Sequence, residues 1–173
     1  TWAGQAIDSA NAKAVVTPDA IDVTSLELRQ GVGFLDGRVR YAWESGAYDA
    51  SLKGDRLSWQ GALLAPNDTQ ALFSMQFDGK GTTAQPRGQG RVDFSLTGGE
   101  AGTLIGAGEM TADLMGDHAR VVVRLPSIGA LVNADVATAS PYDYKATAVL
   151  DRLELARLAP LLAKHFMVVH YDR

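Results

Sequence analysis

The chain has 173 residues, 46% of them hydrophobic, with a net charge of −4 and a pI near 5.3. That apolar share supports a folded domain rather than disorder, and the scattered charges leave no basic stripe to attract nucleic acid or an anionic membrane surface. Cysteine is absent, which excludes disulfides, thiolate nucleophiles and Cys-based zinc sites together.

No apolar run approaches the roughly 20 residues of a membrane-spanning helix. No signal-peptide pattern is visible. The chain starts at Thr1 inside a patterned stretch and stops at Phe166–Arg173. Residues 1–173 therefore read as a single β-rich segment, an excerpt of a larger polypeptide or a mature form, with any targeting or anchoring segment outside it. No shift in composition marks a domain boundary, and no fixed repeat period stands out.

Taken in chain order, the dominant signal is period-two alternation. Ile21 and Val23 give way to Leu26 and Leu28, and the change of parity at Thr24-Ser25 calls for a bulge or a short turn. Val39, Tyr41 and Trp43 alternate with Arg38, Arg40 and Glu44; Tyr48, Ala50 and Leu52 alternate with Asp49, Ser51 and Lys53. Ala71, Phe73, Met75 and Phe77 are interleaved with Ser74, Gln76 and Asp78. Val92, Phe94 and Leu96 alternate with Arg91, Asp93 and Ser95, and Val121, Val123 and Leu125 with Arg120, Val122 and Arg124. Residues two apart in a strand point the same way, so each run predicts a strand with one apolar and one wet face.

Turn signals separate the runs: Asp36-Gly37, Ser45-Gly46, Gly54-Asp55, Pro66-Asn67-Asp68, Asp78-Gly79, Gly98-Gly99 and Met115-Gly116-Asp117. Gly, Asn and Asp close hairpins at little steric cost. The Gly-rich stretch from Gly79 to Gly90 reads as a long loop. Strand and turn at short spacing predict an antiparallel meander of about eight to ten strands, an all-β fold. One segment departs from the pattern. Leu155, Leu158, Leu161 and Leu162 have helical spacing, and Pro160 fits best near a helix start. A short helix is expected over Ala156 to Lys164, after a strand that runs from Tyr144 through Asp151 to Leu155.

Candidate chemistry is sparse. His118, His165 and His170 share no helical metal-pair spacing, and solvated surface explains them without a metal. Asp49, Asp93 and Asp113 fall on the polar parity of their strands, where their simplest role is to keep that face wet. No Gly-x-Ser-x-Gly elbow occurs. Gly79, Gly81, Gly88 and Gly90 lack the Gly-Lys-Ser/Thr ending and the following helix of a phosphate loop. A small β-sandwich hydrolase would need converging polar groups that the sequence does not offer, and no enzyme, cofactor or metal is expected.

The aromatic and methionine residues admit two readings. Trp43, Trp59, Phe73, Met75, Phe77 and Phe94 lie on or near the apolar parity, and ordinary core packing accounts for side chains of that kind. The strands nevertheless outnumber anything that could cover them. The sheet closes into a sandwich or barrel, or it curls partway and leaves an apolar groove. The residues alone favour the closed forms.

The segment YDYKATAVLDRLELARLAPLLA, Tyr142 to Ala163, resembles a recurring element of the AsmA-like superfamily, especially the TamB-type proteins of the translocation and assembly module. The matching residues are Leu150, Asp151, Leu153 and Leu155, then Leu158, Ala159, Pro160, Leu161 and Leu162. The stretches Ile21 to Leu63 and Gly90 to Val136 are similar to such proteins in pattern. The resemblance implies a curled antiparallel sheet with a taco-like groove and a short helix near the C-terminus. It implies a periplasmic or cell-envelope location, with an inner-membrane anchor outside this chain. It implies lipid transport between inner and outer membranes in outer-membrane biogenesis, with a phospholipid or other acyl-chain lipid as partner and an outer-membrane β-barrel engaged through other regions. The family supplies no catalytic residues. The wall it implies for lipid is the apolar face: Val39, Tyr41, Trp43, Tyr48, Leu52, Phe73, Met75, Phe77, Val92, Phe94, Leu96, Val121, Val123 and Leu125. The competing expectation is a structural or adhesive β-module with a closed core and no ligand.

Overall fold

The computed structural model describes residues 7–60, 69–139 and 143–151. They form one ten-stranded antiparallel sheet in which every strand lies beside its sequence neighbours. The strands are β1 (Ser9–Val16), β2 (Ala20–Gln30), β3 (Gly33–Ala42), β4 (Ala47–Gln60), β5 (Gln70–Thr82), β6 (Arg87–Thr97), β7 (Ala107–Met115), β8 (His118–Leu125), β9 (Ala130–Ala137) and β10 (Tyr144–Leu150). A six-residue helix, α1 (Gly99–Leu104), joins β6 to β7, and a 3-10 turn at Pro126–Ile128 joins β8 to β9. The order runs from β1 to β10 without the two end strands pairing, so the sheet is not closed and the sandwich or barrel alternative does not hold for it.

The meander follows from the local chemistry. Ser45-Gly46 and Gly116-Asp117 turn the chain where Gly46 and Gly116 take positive φ, a region that L side chains enter only at a cost. The parity change at Thr24-Ser25 is a bulge: Val23 faces Val39 and Leu26 faces Gly37, so two residues of β2 oppose Arg38 alone. A second bulge sits in β4 between Gly54 and Leu57, where Arg56 adopts φ 48°. Bulges add local twist and bend the strand.

Several expected turns are strand interior. Asp36-Gly37 lies inside β3, Gly54-Asp55 forms the β4 bulge, and Asp78-Gly79 lies inside β5. The expected Gly79–Gly90 loop shrinks to a turn at Thr83–Pro86, with Gly79 and Gly81 in β5 and Gly88 and Gly90 in β6. These glycines serve packing rather than turning. The ring of Phe77 lies against Gly79, Gly88 and Gly90, and a Cβ on Gly79 would stand 2.7 Å from its Cζ; one on Gly81 would meet the Gln85 carbonyl oxygen at 2.7 Å. The helix α1 was not signalled by apolar periodicity. It starts at Gly98 and Gly99, both with positive φ, and folds onto β6 where Gly102 passes Thr97, whose carbonyl carbon would lie 2.9 Å from a Cβ. The last strand ends at Leu150, with Asp151 in a bend, so the expected strand through Leu155 stops short at Asp151. The remainder of that expectation and the helix over Ala156–Lys164 lie outside the described residues.

Candidate binding surface

The strand registers assemble the apolar side chains into continuous rows across the sheet. One row passes through Leu28, Leu35, Gly54, Met75, Val92, Met110, Val123, Val132 and Ala148. Another passes through Leu26, Gly37, Leu52, Phe77, Gly90, Ala112, Val121, Ala134 and Ala146. A third contains Leu57, Phe73 and Phe94. Val39 faces Ala50, Tyr41 faces Tyr48, and Ala71 faces Leu96. Leu125 faces Ala130, which faces Leu150. Every residue expected on the apolar face therefore belongs to one side of one sheet, apart from Trp43. Trp43 follows the end of β3 in a turn, yet its ring meets Tyr41 edge-on with centroids 5.3 Å apart.

Residues beyond those expected complete the surface. Ile21, Val23, Leu26 and Leu28 from β2, Met110 and Leu114 from β7, and Val132 and Val136 from β9 share the face. Their signal was present as alternation but was diluted by alanine, by glycine and by the β2 bulge. Among the described residues, the strands put no Asp, Glu, Lys, Arg or His on this face.

Large and small residues interlock within the face. Phe94 lies over Gly108, where a Cβ would come within 2.5 Å of Cζ, and Met75 with Leu35 and Leu57 fills the space above Gly54. Several of the glycines also lie tight against a neighbouring backbone. A Cβ on Gly37 would stand 2.7 Å from the Ser51 carbonyl oxygen, and one on Gly88 would stand 2.8 Å from that of Asp78. Approach of this kind is open only where the Cβ is missing. It lets neighbouring side chains and carbonyls close up on the apolar side of the curled sheet.

The curl does not bury the face. Among the described residues, the buried apolar side chains are Leu57, Leu96 and Ala130, and no large side chain is fully buried. A closed domain of this length would bury many. The apolar face is half-covered by its own side chains and has no second layer of described structure on it.

The opposite face is a charged lattice. Arg91 donates from Nε and Nη2 to the two oxygens of Asp93 at 2.8 Å, and Nη2 reaches Glu109 at 3.4 Å. Glu109 also accepts from Arg124 Nη1 at 3.2 Å. Lys80 pairs with Asp49 at 3.5 Å. The Arg91 guanidinium holds the Asp93 carboxyl below its usual range. Hydrogen bonds from Gln76 and then Ser51 do the same for Asp78, and one from Ser74 heads the causes for Asp55. Asp49, Asp93 and Asp113 sit on this face, as their parity required. His118 is here too, its Nδ1 2.7 Å from Asp117, and that contact lowers the Asp117 carboxyl. His165 and His170 lie outside the described residues.

Hollows of about 390 and 440 Å³ open between these side chains, lined by Lys53, Asp55, Gln76 and Arg91 in one and by Asp78, Gln89, Arg91 and Arg124 in the other. Most of their charged groups already have partners, Asp55 in Arg56 and Ser74, Asp78 in Ser51 and Gln76, and Arg91 and Arg124 in Asp93 and Glu109, so they are gaps in a polar lattice on the outer face. No group of three or more metal-ligating side chains occurs among the described residues. No described helix is long and apolar enough to cross a membrane. Comparison of the chain with protein-family models, with curated proteins and with solved structures finds no match.

Proposed function

We propose that this chain is a periplasmic segment of an AsmA-like or TamB-like protein whose apolar face shelters lipid acyl chains as phospholipid passes between inner and outer membranes. The observation that carries the reading is a continuous, charge-free apolar face on an open sheet, uncovered by any described layer. Contiguous apolar surface beyond a few hundred Å² marks an interaction site. Burying an acyl chain on it gains about 0.8 kcal/mol per CH₂. Rows that run across all the strands offer such a chain equivalent contacts from one strand to the next, so it can shift along without re-entering water. Aliphatic and aromatic walls grip without specific hydrogen bonds, which suits movement. The charged outer face keeps the segment wetted. An outer-membrane β-barrel partner and an inner-membrane anchor belong to the same proposal and lie outside this chain. The reading needs no catalytic group, and no enzymatic role is proposed.

The test is lipid capture. Purified chain analysed by native mass spectrometry carries bound phospholipid, and photo-crosslinkers at Phe73, Phe77 and Phe94 trap lipid in cells. Lipid-free protein together with empty crosslinks would end the proposal.

A further inference from the structure

Resting on that lipid reading, we propose that the lipid's polar end lies along one lip of the sheet and that the preferred occupant is a phospholipid of zero net charge bearing an ammonium group, of the ethanolamine type, rather than an anionic phospholipid.

In a meander the turns alternate between two lips. A headgroup must stay in water, so with its acyl chains laid along the strands it rides where the strands end, on a lip. The two lips differ. The turns after β1, β3, β5, β7 and β9 form the first. It carries the Tyr41–Trp43 pair, with Trp43 47% exposed, and Tyr144, 81% exposed. Amphipathic rings of this kind prefer an apolar–water boundary. On the second lip the described turns present Val32, 75% exposed, with Ile105 and Ile128, beside two exposed carboxylates, Asp8, which accepts from the Gly31 N–H, and Asp151. Among the described residues that lip has no exposed aromatic ring, and its Trp59 is half-buried.

Charge then selects the headgroup. The ionisable residues in the described turns of the first lip are Asp19, Glu44, Asp117 and Asp143, all carboxylates and all exposed. The cations closest to that lip in sequence, Arg40, Lys80, Arg87, His118 and Lys145, sit on the outer face by strand parity. Lys80 is paired with Asp49 and His118 with Asp117. A net-negative headgroup above the apolar face would meet carboxylates and no facing cation. An ethanolamine headgroup brings its own ammonium to those carboxylates and compensates its own phosphate.

The experiment loads the full chain from vesicles with two fluorescent phospholipids of identical acyl chains, one with an ethanolamine and one with a glycerol headgroup. Uptake of the ethanolamine form exceeds the other by about threefold or more at low ionic strength, and the ratio shrinks as salt screens the exposed charges. The double variant Asp19→Lys, Glu44→Lys levels or inverts the ratio; far-UV circular dichroism checks its fold, and the wild-type salt series decides the matter if it does not fold. Equal uptake of both lipids, a glycerol preference, or a ratio indifferent to salt would overturn the headgroup assignment and leave the lipid reading standing. Uptake of neither lipid would remove both.

Discussion

The ring of Phe94 lies on the bare backbone of Gly108, directly across the β6–β7 pair, and a Cβ there would stand 2.5 Å from its Cζ and 2.7 Å from Cδ2 of Leu125. The large residue of one strand uses the missing side chain of the next, and the same arrangement recurs at Phe77 in β5 with Gly88 and Gly90 of β6. Gly108→Val therefore forces Phe94 and Leu125 apart, at a cost of about 1–3 kcal/mol. Urea denaturation measures it. Phe94→Leu in the same chain should return part of the loss, because it vacates the space over Gly108, and the non-additivity of the pair reports the contact.

Met75 stands between Gly54 and Val92 near the middle of the apolar face, half-buried. In a closed core, an aspartate at such a position would be an unpaired buried charge and would unfold the domain. On an open face the carboxylate can reach water at the surface. Met75→Asp is expected to keep the strand circular dichroism, lose about 1–3 kcal/mol of stability, and abolish lipid capture. Loss of the fold itself would instead place Met75 in a closed core and favour the structural β-module.

Much of this architecture was legible from alternation alone. Tyr41, Phe73, Met75, Val92 and Val123 were placed on one face because strand geometry leaves no other choice once the period is two. The parity slip at Thr24-Ser25 foretold the β2 bulge, since a bulge is the cheapest way to restore apolar facing. The glycines misled. Asp36-Gly37 and Asp78-Gly79 have the composition of hairpin turns, but Gly37 and Gly79 are small because Leu52 and Phe77 occupy the space above them. A glycine needed for positive φ and one needed for close packing are identical in sequence, and only the neighbouring strand tells them apart. For the same reason the choice between closed and open was illegible: it depends on whether β1 meets β10, which no local pattern encodes. The family in the proposal comes from the resemblance of Tyr142–Ala163, most of which lies outside the described residues, and the open apolar face supplies the surface that a lipid would use.

Arg56 occupies the left-handed region at φ 48° inside the β4 bulge, and its Nε donates to Asp55 at 3.1 Å. A non-glycine residue there costs about 1–2 kcal/mol, and an exposed ion pair returns little of it. Arg56→Gly relieves the backbone but gains unfolded-state freedom, costing about 0.5–1 kcal/mol. The expected net change lies within about 1 kcal/mol of zero, on the stabilising side. Arg56→Val, β-branched and unable to adopt this φ cheaply, destabilises by about 1–2 kcal/mol. Comparing the two urea midpoints tests whether the bulge conformation is held by the fold rather than by the arginine.

The outer face predicts how the sheet responds to acid. Hydrogen bonds from Arg91 to Asp93, from Gln76 and Ser51 to Asp78, and from Ser74 to Asp55 each hold a carboxyl below its ordinary range in the folded chain. A group whose folded pKa is depressed contributes stability that is fully present above the unfolded value of about 3.9 and is lost as pH falls through the folded pKa. These three carboxylates therefore contribute a flat term from pH 5 to 8 and a falling one below about pH 4. Asp93 is exposed and Asp55 and Asp78 are half-exposed, so water and salt screen each contribution to a small size. Thermal melts between pH 2.5 and 7 should show the midpoint dropping only at the acid end. Asp93→Asn lowers the plateau slightly and flattens the acid slope, because the amide keeps a hydrogen-bond acceptor for Arg91 but has no proton to take up. An acid slope unchanged in Asp93→Asn would mean that the Arg91–Asp93 pair contributes nothing to the folded sheet.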